Sequence, residues 1–208
     1  PQTCEKLYET DVYDKELEKR FNDSFNILFA GNISPAQSFE TMVAAAAKLK
    51  ADGLNDIRWI IVGDGMSRKQ VEADIEKRGL TDSFVFEGMK PMEDIPKYST
   101  VADLLVGCLV KSELLEATIP AKVMSYIASG KPMALAMDGE VQDLINHKVR
   151  CGYVGDAGDV DALYQNIKKI YNLSQKERKE MGARGRTYHF KHFERSIVLN
   201  ELYKFIFK

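Results

Sequence analysis

The 208-residue sequence has little cysteine: only Cys4, Cys108 and Cys151, odd in number and far apart. None of them has the spacing of a zinc knuckle or a redox pair. A disulfide framework is therefore not expected, and a reducing, cytoplasmic setting is. Cys108 lies in an apolar run and reads as a buried thiol. No apolar stretch approaches the roughly 18–20 residues of a membrane-crossing helix, and none has the form of a signal peptide. Neither charge sign dominates: 29 Lys and Arg stand against 31 Asp and Glu, a formal net charge of −2. That balance argues against a nucleic-acid partner, which calls for a clear positive excess. There is no Walker glycine loop and no Ser-His-Asp or Cys-His order. His189 and His192 have helical spacing but no third ligand, so no zinc is expected.

What remains is ordinary globular composition, 45% apolar and 29% charged, in a chain long enough to bury a core without staples. It opens on Pro1 rather than Met, which points to a segment of a longer protein. Residues 1–24 are polar and read as a linker with some helix. From residue 25 onward short apolar runs alternate with helical patterns. Strands are expected at Phe25–Gly31, Ile57–Gly63, Phe84–Phe86, Ala102–Gly107, Met133–Ala136 and Gly152–Val154. Helices are expected from Pro35 to Leu49, Arg68 to Arg78, Met92 to Tyr98, 120 to 130, Val141 to His147, 160 to 172, 175 to 186 and 194 to 207. The alternation predicts a three-layer α/β/α, Rossmann-like domain of about six parallel strands. In such domains ligands bind beyond the carboxyl ends of the strands. Here those ends carry Gly31, Gly63, Gly65, Gly88 and Gly107. Glycine there permits close approach of ligand or of backbone, and the sequence leaves that choice open.

The segment Thr118-Ile-Pro-Ala-Lys-Val-Met-Ser-Tyr-Ile-Ala-Ser-Gly-Lys-Pro132 forms a short helix ending at glycine. Its period places Lys122, Ser125, Tyr126 and Ser129 on one side, and Val123, Met124, Ile127 and Ala128 on the other. An ammonium one turn into a helix, beside free N–H groups and the positive dipole end, suits a phosphate. An amphipathic helix capped by Thr118, with Lys122 in water, is the plainer reading. Asp159-Val-Asp161 has the form of a metal-binding Asp-x-Asp, but Asp159 precedes a helix and reads as its N-cap. The basic-aromatic stretch Tyr188–Phe193 reads as packing on the domain, with membrane contact as the alternative. The scattered methionines read as core filler.

Several ordered pieces resemble one family. They are Ile27-Leu-Phe-Ala-Gly-Asn-Ile33, Trp59-Ile-Ile-Val-Gly-Asp-Gly65, Phe84-Val-Phe-Glu-Gly88, Ala102-Asp-Leu-Leu105, Ser125-Tyr-Ile-Ala-Ser-Gly-Lys-Pro132, Gly139 to Ile145, and Gly152 to Asp159. Together they are similar to the C-terminal, nucleotide-sugar-binding domain of family-4 retaining glycosyltransferases of GT-B fold. The resemblance implies a linker at 1–24, a donor domain at 25–193, and a helix at 194–208 packed on that domain or on an N-terminal one. It implies a hexosyltransferase using a nucleoside-diphosphate sugar, a UDP-sugar in the first instance, with no metal. A polysaccharide or lipid-linked acceptor would be supplied through the N-terminal domain, at the membrane's inner face, and this segment alone would lack turnover.

The sequence also departs from the family pattern. Asn32 and Gln37 stand where the family has an Arg and a Lys for the diphosphate. Ala117 and Ser125 stand at its two glutamates, with Glu116 one residue early. Some capsule and O-antigen transferases, including those resembling N-acetylfucosamine transferases, share Gly-Asn-Ile, Ala-Gln and Ile-Pro-x-Lys. A leaving diphosphate needs donors and a cation aimed at its charge. The expected set is Lys122 with the helix start at Pro120 and Ala121, and Asn32 and Gln37 as neutral donors; Lys131 is a further candidate. Ser125 is assigned to the ribose, Glu116 to the sugar, and Glu87-Gly88-Met89 to the base. Asp143 matches an acidic family position but also suits a first helical turn. A UDP-sugar epimerase of similar shape and a non-catalytic nucleotide-binding domain remain alternatives.

Overall fold

The computed structural model describes residues 5–8 and 10–207. Cys4 lies outside them. The frame is a parallel sheet of six strands: β1 (Phe25–Ala30), β2 (Ile57–Val62), β3 (Phe84–Gly88), β4 (Leu104–Cys108), β5 (Met133–Ala136) and β6 (Gly152–Gly155). They lie in the order β3-β2-β1-β4-β5-β6. The helices are α1 (Lys15–Phe21), α2 (Phe39–Ala51), α3 (Arg68–Lys77), α4 (Ile95–Val101), α5 (Glu113–Glu116), α6 (Ala121–Ser129), α7 (Glu140–Asp143), α8 (Val160–Tyr171), α9 (Gln175–His192) and α10 (Arg195–Ile206). Side chains alternate across each strand. Ile27, Phe29, Trp59, Ile61, Leu104 and Val106 enter one core with α2, α3 and α8. Leu28, Ile60, Leu105, Met133 and Leu135 enter a second with α4, α6 and α7. Burial on both faces is why the strands read as nearly unbroken apolar runs. The expected three-layer α/β/α architecture is the one observed.

The local departures have physical causes. The helix expected from Pro35 breaks: Pro35–Gln37 is a 3₁₀ turn, Ser38 is left-handed at φ 39°, and α2 starts at Phe39. The Ser38 hydroxyl lies 2.8 Å from Thr41 Oγ1, a side-chain contact that competes with helix at this point. Gln37 therefore sits on a connection rather than on the helix. Helix α9 runs to His192, beyond the expected 186, because a capping box of Ser174 and Glu177 starts it and its glycines serve packing rather than termination. A Cβ on Gly182 would lie 2.0 Å from the Gly130 carbonyl oxygen, so α9 rests directly on the end of α6. Arg186 of α9 donates to the Ala128 and Ser129 carbonyls and satisfies that end. Residues 144–149 form a π-turn after α7, closed by left-handed Arg150. Tyr188 and Phe193 pack against the second core. The methionines divide: Met42, Met133, Met137 and Met181 are buried, while Met66, Met89 and Met92 are exposed and correct the core-filler reading.

The strand order reverses direction at β1, since β2 lies on one side of it and β4 on the other. Only Ile27–Leu104 and Leu28–Leu105 pair across β1 and β4 before the strands part. Tyr126, expected on the polar face of α6, is instead buried between them. Its hydroxyl accepts the Ala30 N–H at 3.2 Å and donates to the Val106 carbonyl at 3.1 Å. One phenol thus satisfies both backbone groups beyond the end of the ladder and holds the strands apart there. Ser129, also expected on the exposed face, is buried and donates to the Tyr126 carbonyl at 2.7 Å. Tyr126→Phe leaves two buried backbone groups unpaired and should lower stability by about 1–3 kcal/mol, read from urea unfolding with an unchanged m value.

Candidate functional site

Beyond the carboxyl ends of β1, β2 and β3 lies a cleft of about 1210 Å³, lined by Gly31, Asn32, Gly63, Asp64, Gly65, Met89, Lys90, Ala121, Lys122 and Ser125, among others. Its floor is an interlock of two turns. Gly31 N–H bonds the Val62 carbonyl, Ile33 N–H the Asp64 carbonyl, and Gly63 N–H the Gly88 carbonyl. A Cβ on Gly63 would fall 1.9 Å from the Gly31 carbonyl oxygen, and one on Gly65 2.3 Å from that of Ile33. These two glycines serve contact between backbones, which settles for them the choice left open by the sequence. The amides of Gly31, Ile33 and Gly63 are thus already bonded and are not spare donors for a ligand.

Lys122 occupies the gap between the parted strands. Its side chain passes Gly31 at the end of β1 and Gly107 in β4; a Cβ on Gly31 would stand 3.0 Å from Cε and Nζ. The Nζ lies 3.5 Å from the centroid of Phe29, whose ring belongs to the core on the opposite face from α6. It donates to Gln37 Oε1 at 2.5 Å. The amine thus crosses the top of the sheet at the strand reversal. Among the described residues no carboxylate pairs with it. Burial pulls its pKa down to about 7, with Cys108 nearby acting weakly the other way. Cys108 itself is fully buried, and its thiol is pushed up to about 12. A ring face and an amide oxygen favour the charged amine but supply less than a counter-ion would.

Other expected residues divide in the same way. Gly31, Asn32, Gly63, Gly65, Met89, Ala121, Lys122 and Ser125 line the cleft. Gln37 stands one hydrogen bond behind it. Gly88 turns the chain just before Met89, with φ 70°. Pro120 is the N-cap of α6, with no side-chain cap bond. Thr118 does not cap that helix; its hydroxyl donates to the Leu115 carbonyl at 3.3 Å. Glu116 does not line this cleft. It lines a separate shallow pocket with Glu113, Gly139, Glu140 and Asp143, where close backbone contact with Gly139 fixes it. Asp143 is exposed and paired with Lys148 at 2.7 Å. Lys131 points to the other end of the sheet, donating to the Thr100 and Ala102 carbonyls. Asp159 caps α8 by accepting the Ala162 N–H, while Asp161 pairs with Lys48.

Three sets of contacts in or beside the cleft were not anticipated. Tyr8, from the segment read as linker, is buried and lines the wall. Asp64 accepts the Gly65 N–H and pairs with Arg68, and that backbone bond, ahead of the arginine, holds its carboxyl below the usual range. Glu87, just before the Met89 turn, is a buried carboxylate gripped by Arg20 of α1 at 2.6 Å and by the Tyr98 hydroxyl at 2.8 Å. A lone glutamate ending a strand in the sequence carries no sign of either partner.

A doubly wound parallel sheet with its cleft at the strand reversal is the architecture of one half of a GT-B enzyme. The family model for glycosyl transferases group 1 matches residues 13–188. The chain belongs to that family and is a C-terminal glycosyltransferase domain of GT-B type. It is 32% identical over 142 residues to a 2-deoxystreptamine glucosyltransferase of Streptomyces kanamyceticus, covering 68% of this chain and 35% of that protein. It is 26% identical over 156 residues to the amylovoran biosynthesis glycosyltransferase AmsK of Erwinia amylovora, covering 74% and 38%. Among solved structures, HepE of Anabaena in complex with UDP superposes with a TM-score of 0.81 at 18% identity, covering 97% of this chain and 54% of that one. The C-terminal domain of the group 1 protein LpcC of Francisella tularensis superposes at 0.70 with 16% identity, covering 90% and 98%. The chain thus spans about a third of the length of these curated relatives.

The buried amine has a consequence for stability. A folded-state pKa near 7, against 10.5 for free lysine, means that the native chain binds fewer protons than the unfolded one between those limits, so stability rises with pH across that window. Lys122→Met should therefore stabilise the ligand-free domain by about 1–3 kcal/mol at pH 7. The gain should shrink toward pH 10, as followed by denaturant midpoints at several pH values.

Proposed function

We propose that this domain holds the donor of a sugar transfer: a nucleoside-diphosphate sugar, with UDP as the nucleotide, bound in the cleft at the strand reversal. One observation carries the reading, namely Lys122 at the start of α6, partly buried beside the cleft and with no carboxylate partner among the described residues. The first turn of α6 contains no acidic residue, and the leading N–H groups of a helix have no intrahelical partners. Together they form a cationic corner suited to a diphosphate. Ser125, one turn along, lies where a ribose hydroxyl would fall, and the Gly88–Met89 turn where a base edge would. That HepE, a protein of the same fold, has been solved with UDP and with UDP-glucose supports this assignment.

In the reaction, the amine and the helix start would stabilise the charge that develops on the departing diphosphate. The acceptor would be presented by an N-terminal half, and α10, which buries none of its residues here, would pack against that half. Glu116 enters this scheme only if the α5 loop shifts toward the cleft. We further propose an acceptor in cell-surface polysaccharide assembly, supported by the Ile-Pro-Ala-Lys segment and by the similarity to AmsK. The similarity to a 2-deoxystreptamine glucosyltransferase favours a second reading, a small aminocyclitol acceptor.

Calorimetry of the domain with UDP, GDP, ADP and their glucose conjugates tests the donor reading. UDP and UDP-glucose should bind, and Lys122→Ala should weaken them by about 1–3 kcal/mol. Binding of none of the six would overturn it, and an affinity unchanged by Lys122→Ala would remove the amine from the site.

A further inference from the structure

The Lys122 amine lies in a three-sided cage. Phe29 of β1 offers a ring face at 3.5 Å. Gln37, on the turn after β1, offers a neutral amide oxygen. Gly31 leaves open the space that a side chain would fill. None of the other titratable neighbours among the described residues forms an ion pair with the amine; Lys90, on the cleft wall, lies 3.9 Å from Glu87 instead. Cys108 of β4 is fully buried, with its thiol pushed up to about 12. Tyr126 of α6 is buried and shifted upward by desolvation. Glu40 of α2 is exposed and reaches Cys108 only as a distant charge. Asp64, across the cleft, stays ionised but is bound to Arg68 and the Gly65 N–H.

We infer that the cage stores the Lys122 amine for a proton-linked binding step, in which the arriving diphosphate draws a proton from solvent onto Nζ. This rests on the donor reading above and adds to it a statement about protons. Among the described residues no anion compensates the ammonium for lost water, so the neutral form holds a substantial share at neutral pH, in line with a pKa near 7. A diphosphate beside the same nitrogen supplies two adjacent charges and shifts the balance to the ammonium. The proton comes from water or buffer, the amine becomes –NH₃⁺, and no covalent bond of the donor changes. Phe29 is thereby assigned as a positioning residue, holding the nitrogen at the strand reversal in both protonation states.

Titration of the domain with UDP-glucose in Tris and in phosphate buffer provides the test. Both phosphates of UDP-glucose are esterified, so the ligand contributes no proton of its own between pH 6.5 and 8.5. The difference in binding enthalpy between the buffers should correspond to uptake of about half a proton at pH 7 and about one at pH 8.5, and affinity should fall about tenfold from pH 7.5 to 8.5. Lys122→Arg, whose guanidinium is always charged, should bind without this uptake. Should the larger head disturb the cage, Gln37→Glu makes the same point by giving the empty-site amine a counter-ion. Phe29→Leu should reduce affinity while keeping the buffer dependence. UDP-glucose binding with equal enthalpy in both buffers and a flat pH profile would overturn the proton step and leave the donor reading intact. No binding at any pH would overturn both. Undiminished uptake in Lys122→Arg and Gln37→Glu would assign the proton to another group and sink the inference.

Discussion

A partly buried primary amine with no anionic partner among the described residues is the feature around which the cleft is organised. Taking an ammonium out of water costs several kcal/mol unless partners replace the lost solvent. At Lys122 the partners are a phenyl face and a neutral amide. This is partial compensation, and a structure selected for stability alone would place a methionine or a carboxylate pair there. The imbalance is local and directional, because the side of the amine away from Phe29 and Gln37 opens on the cleft. A group that brings negative charge to that side gains from the full strength of an interaction in a poorly solvated place.

The position of the amine follows from topology more than from the helix that carries it. Reversal of strand order at β1 forces the β1–β4 ladder to stop after two residue pairs, which leaves two strand ends apart with backbone groups to satisfy. Tyr126 satisfies them, one turn after Lys122 on the same helix. The spacing of four residues lets one helix both wedge the strands and thread an amine between them. The other end of α6 is fixed by α9, through Gly182 against Gly130 and through Arg186 on the last carbonyls. A helix anchored at its end and wedged at its middle has little freedom at its start, so the Lys122 amine is held in one geometry.

The layering and strand count were legible from the sequence because fully buried parallel strands leave unbroken apolar runs between helical patterns. Strand ends were legible through their glycines, but the purpose of those glycines was not. Whether Gly63 faces a ligand or another backbone depends on Gly31, 32 residues away, and local sequence carries no such information. The two faces of α6 were misread for a related reason. Tyr126 and Ser129 are polar at their tips and fall beside Lys122 on a helical wheel, yet their hydroxyls serve buried backbone groups. Lys122 was expected at the cleft and does line it, although its surroundings were not legible. Phe29 reads as one more core residue until the structure shows an amine on its ring. Glu116 shows the opposite failure: its position one residue from a family glutamate placed it at the sugar, whereas the Gly139 contact turns its loop toward a different pocket.

Charge placement separates this domain from the pattern it otherwise resembles. Where the family it resembles has a cationic pair after the first strand, Asn32 and Gln37 are neutral, and Lys122 reaches the cleft from α6 across the sheet. The two arrangements differ physically. Cations on an exposed loop are screened and hydrated before a ligand arrives, so much of their attraction is already spent on water and salt. An amine held in the gap between strands is hydrated and screened on one side only, where it meets the cleft. The cost to the ligand-free domain is lost solvation of the amine. Gln37 occupies that loop position as an acceptor, and its amide oxygen orients the Lys122 amine.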